Sequence, residues 1–361
     1  MDETVVRRLE LHDFRNFEFV EFVPSTSGLT VVQGDNGAGK TSLLESIVYA
    51  STLQSFRGAP REAVVRQGAP EAKVRCDVLA GTRKVEIEIE ISPGRRDRAW
   101  HNTQRVPGIR GLLEVLRTTL FTPDDLVLVK GPPVGRRDFL DEVLTAARPR
   151  LAADRTALER VLRHRNALLR QLGGRLDSEA ATTLDVWDER LVQVGERLAS
   201  SRSELVRDLA TFAAEAFSIL AGGAGEFEMS YVRSWNGPLS DVLASARKED
   251  LRRATTTVGP QRDDLELVAG GLDARTRLSQ GRQRCVALSL RLASHHFMTE
   301  ITGAAPVLLL DDAFSELDEA TARALVGELP SGQALLTTAG ELPPGAAPKL
   351  VVTLADGRLS T

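Results

Sequence analysis

The sequence predicts an α/β fold: a phosphate-loop head with a mixed β layer, interrupted by an inserted α-helical hairpin. Three observations carry this expectation. The apolar run Leu29-Thr-Val-Val-Gln33 feeds into Gly34-Asp35-Asn36-Gly37-Ala38-Gly39-Lys40-Thr41-Ser42, after which apolar residues recur at helical spacing. After Pro149 the chain has no proline through Leu220 and reads as long helices. A late apolar run, Val307-Leu-Leu-Leu-Asp311-Asp312, ends in two carboxylates.

The elements follow in order. Val5 to Leu11, Phe17 to Val23 and Leu29 to Gln33 are rich in β-branched and aromatic residues and predict three strands. The third runs into the glycine-rich loop and then a helix, the context in which backbone N–H groups curl around one anion and the helix N-terminus adds a favourable dipole. In that context Lys40 would reach the β- and γ-phosphates of a nucleotide and the Thr41 hydroxyl would ligand Mg²⁺. The plain alternative is a glycine-rich turn without a ligand. Further on, Arg83 to Ile91 alternates strictly, with Val85, Ile87, Ile89 and Ile91 on one face and three glutamates on the other. Together with Ala72 to Leu79 it predicts an antiparallel β layer beside the nucleotide core.

In the middle, Leu151, Leu158, Val161, Leu162, Leu168, Leu169 and Leu172 make one apolar stripe, broken by Gly173-Gly174. Leu184, Trp187, Leu191, Val194 and Leu198 then recur at alternating three and four. Two helices joined by a glycine turn predict an antiparallel hairpin with arms of roughly 35–50 Å, at about 1.5 Å per residue. The expected organisation is a head from 1–122 and 255–361, with 123–254 inserted as a mainly helical domain.

Two late segments return to phosphate chemistry. A buried strand that delivers an aspartate at its C-terminal end suits Asp311 to hold Mg²⁺, and Asp312 is placed to polarise an attacking water. The alternative for the pair is a helix cap. Ser315-Glu-Leu-Asp318 follows at once. Before them, Ser279-Gln280-Gly281-Arg282-Gln283-Arg284 opens an apolar-periodic helix, a second anion site at a helix N-terminus. One chain carrying both a phosphate loop and this segment suggests a dimer whose nucleotide sites combine pieces of two copies.

Composition bounds the function classes. In 361 residues, 42% hydrophobic and 27% charged content are ordinary for a globular chain, and the formal net charge of −4 excludes a uniformly basic nucleic-acid coat. The positive charge is nearly all arginine and is concentrated between Arg57 and Arg110, which offers either a basic face for phosphates or a set of solvated strand-edge charges. Cys76 and Cys285 have no metal-ligand spacing and read as reduced thiols. No run approaches eighteen apolar residues, and the start has no apolar signal region, so a cytoplasmic protein without a membrane partner is expected.

The order of these parts resembles ABC-type ATPases of the SMC-like group, and more narrowly the RecF family. The resemblance rests on Phe14-Arg-Asn-Phe17, the Gly34–Thr41 loop, Pro123-Asp-Asp-Leu-Val-Leu-Val-Lys-Gly131 with Arg136-Arg-Asp-Phe-Leu-Asp141, Gly259-Pro-Gln-Arg-Asp-Asp-Leu265, Ser279–Arg284 and Leu310–Asp318. The phosphate loop and the Ser315–Asp318 block are general to the superfamily; the Arg136–Asp141 and Gly259–Leu265 blocks are specific to the family. The resemblance implies an ABC-type P-loop ATPase head and a nucleoid-associated recombination mediator. Such a protein would dimerise on ATP with Mg²⁺, bind duplex and gapped DNA, and assist RecA loading with RecO and RecR, and slow, DNA-dependent hydrolysis would reset the dimer. It further implies that Ser279 to Gln283 act in trans and that Ser315 and Asp318 form the D-loop. Arg15 and Arg57 are candidates for phosphate or DNA contacts. Three departures stand out: threonines replace a switch histidine in Ala334–Ala339, Asp312 replaces a glutamate, and Asp124-Asp125 occupies the place of a glutamine. An SMC-like clamp outside this repair pathway is the alternative reading.

Overall fold

The strand that precedes the phosphate loop, Gly28–Gln33, lies inside a six-stranded sheet whose order is Arg358–Ser360, Leu350–Ala355, Gly28–Gln33, Gln333–Thr338, Val307–Asp311, Thr118–Phe121. All neighbours are parallel except the hairpin Leu350–Ala355/Arg358–Ser360. Every residue of Val307–Asp311 and Gln333–Thr338 is buried, which explains their continuous apolar character. Parallel strands end on the same edge, so Gly34, Asp311 and Thr338 emerge together where open α/β sheets bind ligands.

The computed structural model describes residues 4–223, 225–330 and 332–360, and divides into two compact units. The first comprises residues up to Leu126, Phe212–Gly225 and the chain from Gln280 onward; the second comprises Val127–Thr211 and Glu226–Ser279. Residues 255–279, expected with the head, lie in the second unit.

In the first unit the predicted β layer is a six-stranded antiparallel sheet in the order Phe17–Phe22, Thr4–Phe14, Ala72–Ala80, Arg83–Ile91, Arg98–His101, Gln104–Val106. Ile87, Ile89 and Ile91 point into a core shared with Leu9, Leu11, Val74 and, from the helix Lys40–Thr52, Leu43, Leu44 and Ile47. That face removes large apolar area from water at about 25 cal/mol per Å². The Gln333 carboxamide ties this sheet to the parallel one: it accepts from the Val6 N–H at 2.7 Å and donates to the Val6 and Ser25 carbonyls at 2.7 and 2.8 Å.

The outer face of the antiparallel sheet is a lattice of opposite charges. Arg75 pairs with Glu88 at 2.8 Å and Glu10 at 3.3 Å, Lys73 with Glu90 at 3.3 Å, and Arg98 with Glu90 at 2.5 Å. Nearby, Arg61 and Arg66 pair with Asp97 and Asp13. Much of the arginine-rich stretch is therefore neutralised by carboxylates brought close through strand pairing.

The second unit holds the helical hairpin: Ala152–Leu172, a left-handed glycine pair at Gly173 and Gly174, and then Ser178–Leu220, whose residues through Thr211 belong to this unit. The arms are unequal, 21 against 43 residues, so they run to about 32 and about 65 Å, and neither falls in the expected 35–50 Å. A three-stranded sheet, Phe227–Val232, Asp264–Ala269 and Leu272–Asp273, completes it.

Buried ion pairs join these pieces. Arg165, with no solvent exposure, donates to Asp188 at 2.6 Å, Asp250 at 2.7 Å and the Thr256 hydroxyl at 2.8 Å. Arg202 grips both oxygens of Asp141 at 2.8 Å and donates to the Pro260 carbonyl at 2.9 Å. Arg136 holds Asp264 through two bonds of 2.7 and 2.9 Å, and Arg137 donates to the Asp263 carbonyl at 2.7 Å. The Arg136–Asp141 and Gly259–Leu265 blocks are thus partners of one another.

Candidate functional site

The phosphate loop is shaped by two glycines that no other residue replaces without strain. Gly39 precedes the helix Lys40–Thr52 at φ 111°, and a Cβ there would sit 2.6 Å from Asn16 Nδ2 and 2.8 Å from Phe17. A Cβ on Gly34 would lie 2.3 Å from the Leu354 carbonyl oxygen. The loop curls as predicted, and Asn36, Gly37, Gly39, Lys40, Thr41 and Ser42 line a cleft of about 640 Å³. Gly34, Asp35 and Ala38 contribute carbonyls: Lys40 Nζ donates to Gly34 O at 2.6 Å and Asp35 O at 2.9 Å, while Asn16 Nδ2 donates to Ala38 O at 3.0 Å. The lysine ammonium, itself buried, therefore rests inside the loop's own curl.

Across the cleft the Thr41 hydroxyl donates to Asp311 Oδ1 at 3.0 Å, and the Thr337 hydroxyl donates to the same oxygen at 2.7 Å. Burial pushes the Asp311 carboxyl above its ordinary range, while the hydrogen bonds from Thr337 and Thr41 and the cation of Arg57 pull the other way. A hydroxyl and a carboxylate held this close fit a Mg²⁺ whose remaining ligands are phosphate and water; among the described residues no cluster of three or more His, Cys, Asp or Glu forms a metal cage. Asp312 also lines the cleft, at the left-handed φ of 48°, which aspartate tolerates better than most residues. Its N–H donates to the Thr337 carbonyl at 3.1 Å, fixing where the chain turns.

Arg15 and Arg57 both line this cleft but differ in state. The Arg15 guanidinium forks onto buried Glu45 at 2.8 and 2.5 Å and reaches the Ala63 carbonyl at 2.6 Å, so it braces the helix after the phosphate loop. Arg57 is exposed, and its charge is felt at Asp311.

Ser279 is exposed, and the helix Gln280–Thr302 begins beside it. Gln280 is exposed, Gly281 would meet nothing within 4 Å of an added Cβ, Arg282 stacks over Phe217 at 5.9 Å and Gln283 is buried. None of Gln280, Gly281, Arg282 or Gln283 lines the phosphate cleft of its own chain. The helix is instead tied to the acidic strand's loop: Arg284 donates to the Glu316 carbonyl at 2.5 Å and pairs with its carboxylate, and the Ser315 hydroxyl donates to the Asp312 carbonyl at 2.8 Å. Asp318 caps the helix Glu319–Gly327 by accepting from the Thr321 N–H and hydroxyl at 2.9 Å. Asp125, at the departure point toward the insertion, is buried, caps Thr122 and accepts from Arg291 at 2.7 Å.

The residues missed in the sequence are Asn16, Glu62, Gln67 and Thr337. The first three line the cleft, and Thr337 steadies Asp311. Asn16 lay within the quoted Phe14–Phe17 block. Thr337 lay within the Ala334–Ala339 stretch, but its role came only from strand pairing, which sets it opposite Asp311.

A phosphate loop after a central parallel strand, an aspartate-ended strand in hydrogen-bond contact with it, and a separate exposed helix start define an ABC-type P-loop ATPase head carrying a helical insertion. Comparison with known proteins narrows the class. The model of the RecF/RecN/SMC N terminal domain matches residues 5–336. Proteins named DNA replication and repair protein RecF from Streptomyces avermitilis and Kineococcus radiotolerans are 41% and 40% identical over 350 and 361 residues, covering 92% of this chain and 93% and 92% of theirs. The counterpart from Frankia alni is 41% identical over 356 residues, covering 92% of this chain and 93% of its own. A solved structure of the recombination mediator protein RecF with ATP, in the RecFOR pathway, superposes with a TM-score of 0.91 at 25% identity, covering 99% of this chain and 98% of that one. An Smc head domain from Pyrococcus furiosus, at 16% identity and a TM-score of 0.58 over 99% of this chain and 95% of its own, shares the fold. The chain belongs to the RecF family of DNA replication and repair proteins.

Proposed function

We propose that this protein is an ATP-gated DNA clamp that mediates recombination: two copies close over two ATP molecules, grip DNA at gaps with single-strand/double-strand junctions, and assist RecA loading together with RecO and RecR. In this reading the loop from Gly34 to Ser42 cradles the phosphates, and Lys40 leaves the Gly34 and Asp35 carbonyls for the β- and γ-phosphates. Thr41 and Asp311 hold Mg²⁺, whose charge helps neutralise the phosphates. Asp312 orients the attacking water, and the Thr337 hydroxyl keeps Asp311 aimed. Ser279 to Gln283 of the second copy close the cleft. The observation that supports this most is an exposed helix start that does not line its own phosphate cleft yet is linked through Arg284, Glu316 and Ser315 to Asp312. ATP that binds the closed dimer better than the open monomer shifts association by that difference in affinity.

The shorter Asp312 and the lack of a switch histidine suit slow, DNA-stimulated turnover that resets the clamp. Fluorescence anisotropy of a labelled gapped duplex tests the reading. Binding with Mg²⁺ and ATP, lost with ADP and in Lys40→Met, is expected; equal binding in all three conditions contradicts it.

A further inference from the structure

The blocks most specific to the family, around Arg136–Arg137 and Gly259–Arg262, take no part in the phosphate site. Within the second unit they border a cleft of about 430 Å³. One wall is apolar, formed by Pro132, Pro133, Val134 and Leu162. Val134 is 48% exposed, and Val127, 52% exposed, lies near Gly135 of the helix that carries Val134. The same lining presents donors: Arg137, Arg262 and Asn166.

Each donor has capacity left over. Asn166 Oδ1 accepts from the Thr256 N–H at 2.8 Å and hydroxyl at 2.7 Å, which fixes the amide and leaves its NH₂ group to give. Arg262 is exposed, with only a long contact of 3.4 Å to the Thr256 carbonyl. Arg137 spends one N–H on the Asp263 carbonyl. The carboxylates near it are held by others: Asp264 by Arg136, Asp263 by Tyr231 and the Ser234 N–H, and Asp138 by Arg155. Burial, and then the neighbouring Arg202 cation, lower the Arg137 guanidinium from its ordinary value, as expected for a partly desolvated cation without a counter-ion of its own. No carboxylate lines the cleft among the described residues.

We propose that this cleft docks an acidic segment of a partner protein, with a carboxylate received by Arg137, Arg262 and Asn166 and an adjacent apolar side chain seated on Pro132, Pro133 and Val134. The mixed lining favours protein over nucleic acid. A phosphodiester backbone would satisfy the donors but leaves the exposed valines and prolines unmatched, whereas an apolar anchor beside a charge is the usual composition of a protein interface. The inference stands apart from the ATP-clamp reading, since it needs neither nucleotide nor dimer.

The test uses the full chain and two labelled peptides, acetyl-Leu-Asp-Leu-Glu-amide and its neutral counterpart acetyl-Leu-Asn-Leu-Gln-amide. The acidic peptide is expected to bind at least tenfold more tightly, and to lose at least tenfold in both Arg262→Ala and Val134→Asp. Both variants alter exposed side chains, so melting temperature and ATP affinity should match the wild type; Arg137→Lys then tests the half-buried donor with its charge kept. Equal affinity for the two peptides, or no saturable binding below about 10 mM, overturns the proposal. So does competition by a short duplex that depends on Arg137 and Arg262 but ignores Val134, which would make the cleft a phosphate-backbone contact.

Discussion

The phosphate cleft and the second unit use the same chemistry, arginine or lysine against aspartate, to opposite ends. In the second unit Arg202 and Arg136 are saturated by carboxylates and carbonyls inside the fold, and Arg165 is held by Asp188, Asp250 and the Thr256 hydroxyl with only its Nη2 left without a partner among the described residues. In the cleft, among the described residues, Lys40 is held by two backbone carbonyls, Arg57 is exposed, and Asp311 is met by the hydroxyls of Thr41 and Thr337. A saturated network fixes shape; an unsaturated one is ready for a ligand. Motif specificity runs the other way, because the blocks that mark the family most narrowly sit in the saturated region while the general ones carry the phosphate chemistry.

The largest effect should come from breaking the buried ion-pair network. Arg165→Met leaves Asp250 buried without its cation, while Asp188 keeps Arg247, and is expected to cost about 3–5 kcal/mol, read as loss of the second unit's unfolding transition at ordinary temperatures. Nucleotide affinity in a fragment-free folded sample, kept below its melting point, should change less than twofold. Lys40→Met should do the reverse, weakening ATP binding by about 100-fold or more, equivalent to about 2.8 kcal/mol, with the melting curve unchanged in the absence of nucleotide. A Lys40→Met protein that binds ATP normally in calorimetry would collapse the distinction between the two regions.

Smaller effects sharpen it. Asp318→Ala removes a helix cap and should cost about 1 kcal/mol in chemical denaturation at neutral pH. The Thr321 N–H and hydroxyl hold the Asp318 carboxyl below its ordinary value, so its contribution is fully present above the unfolded value and is lost as pH falls through the folded one. The gap between wild type and Asp318→Ala should therefore close below about pH 4. Arg110→Ala, which breaks an exposed pair with Glu114, should shift stability by less than about 0.5 kcal/mol and fade further in salt.

What was legible in the sequence depended on range. The loop from Gly34 to Thr41 was readable because glycine spacing, the preceding strand and the following helix are all local. So was the alternation of Arg83 to Ile91. The end of the helical stretch at Leu220 was legible in the absence of proline, but the single 43-residue arm Ser178–Leu220 was not, since the heptad pattern was traced only as far as Leu198. The charge lattice was hidden for another reason: Arg75 and Glu88, or Asp125 and Arg291, are 13 and 166 residues apart, and only strand pairing or helix packing makes them neighbours. Arg15 looked like a free cation because Glu45, its buried acceptor, is 30 residues away.

The central claim is that the nucleotide site is completed by a second copy, and analytical ultracentrifugation of Asp312→Asn with Mg²⁺ and ATP tests it most directly. The account predicts a monomer without nucleotide or with ADP, a stable dimer with ATP, and no dimer when Ser279→Arg is added although ATP still binds. A normal ATP-dependent dimer from the Ser279→Arg double variant, or an ATP-bound monomer of Asp312→Asn, would contradict it.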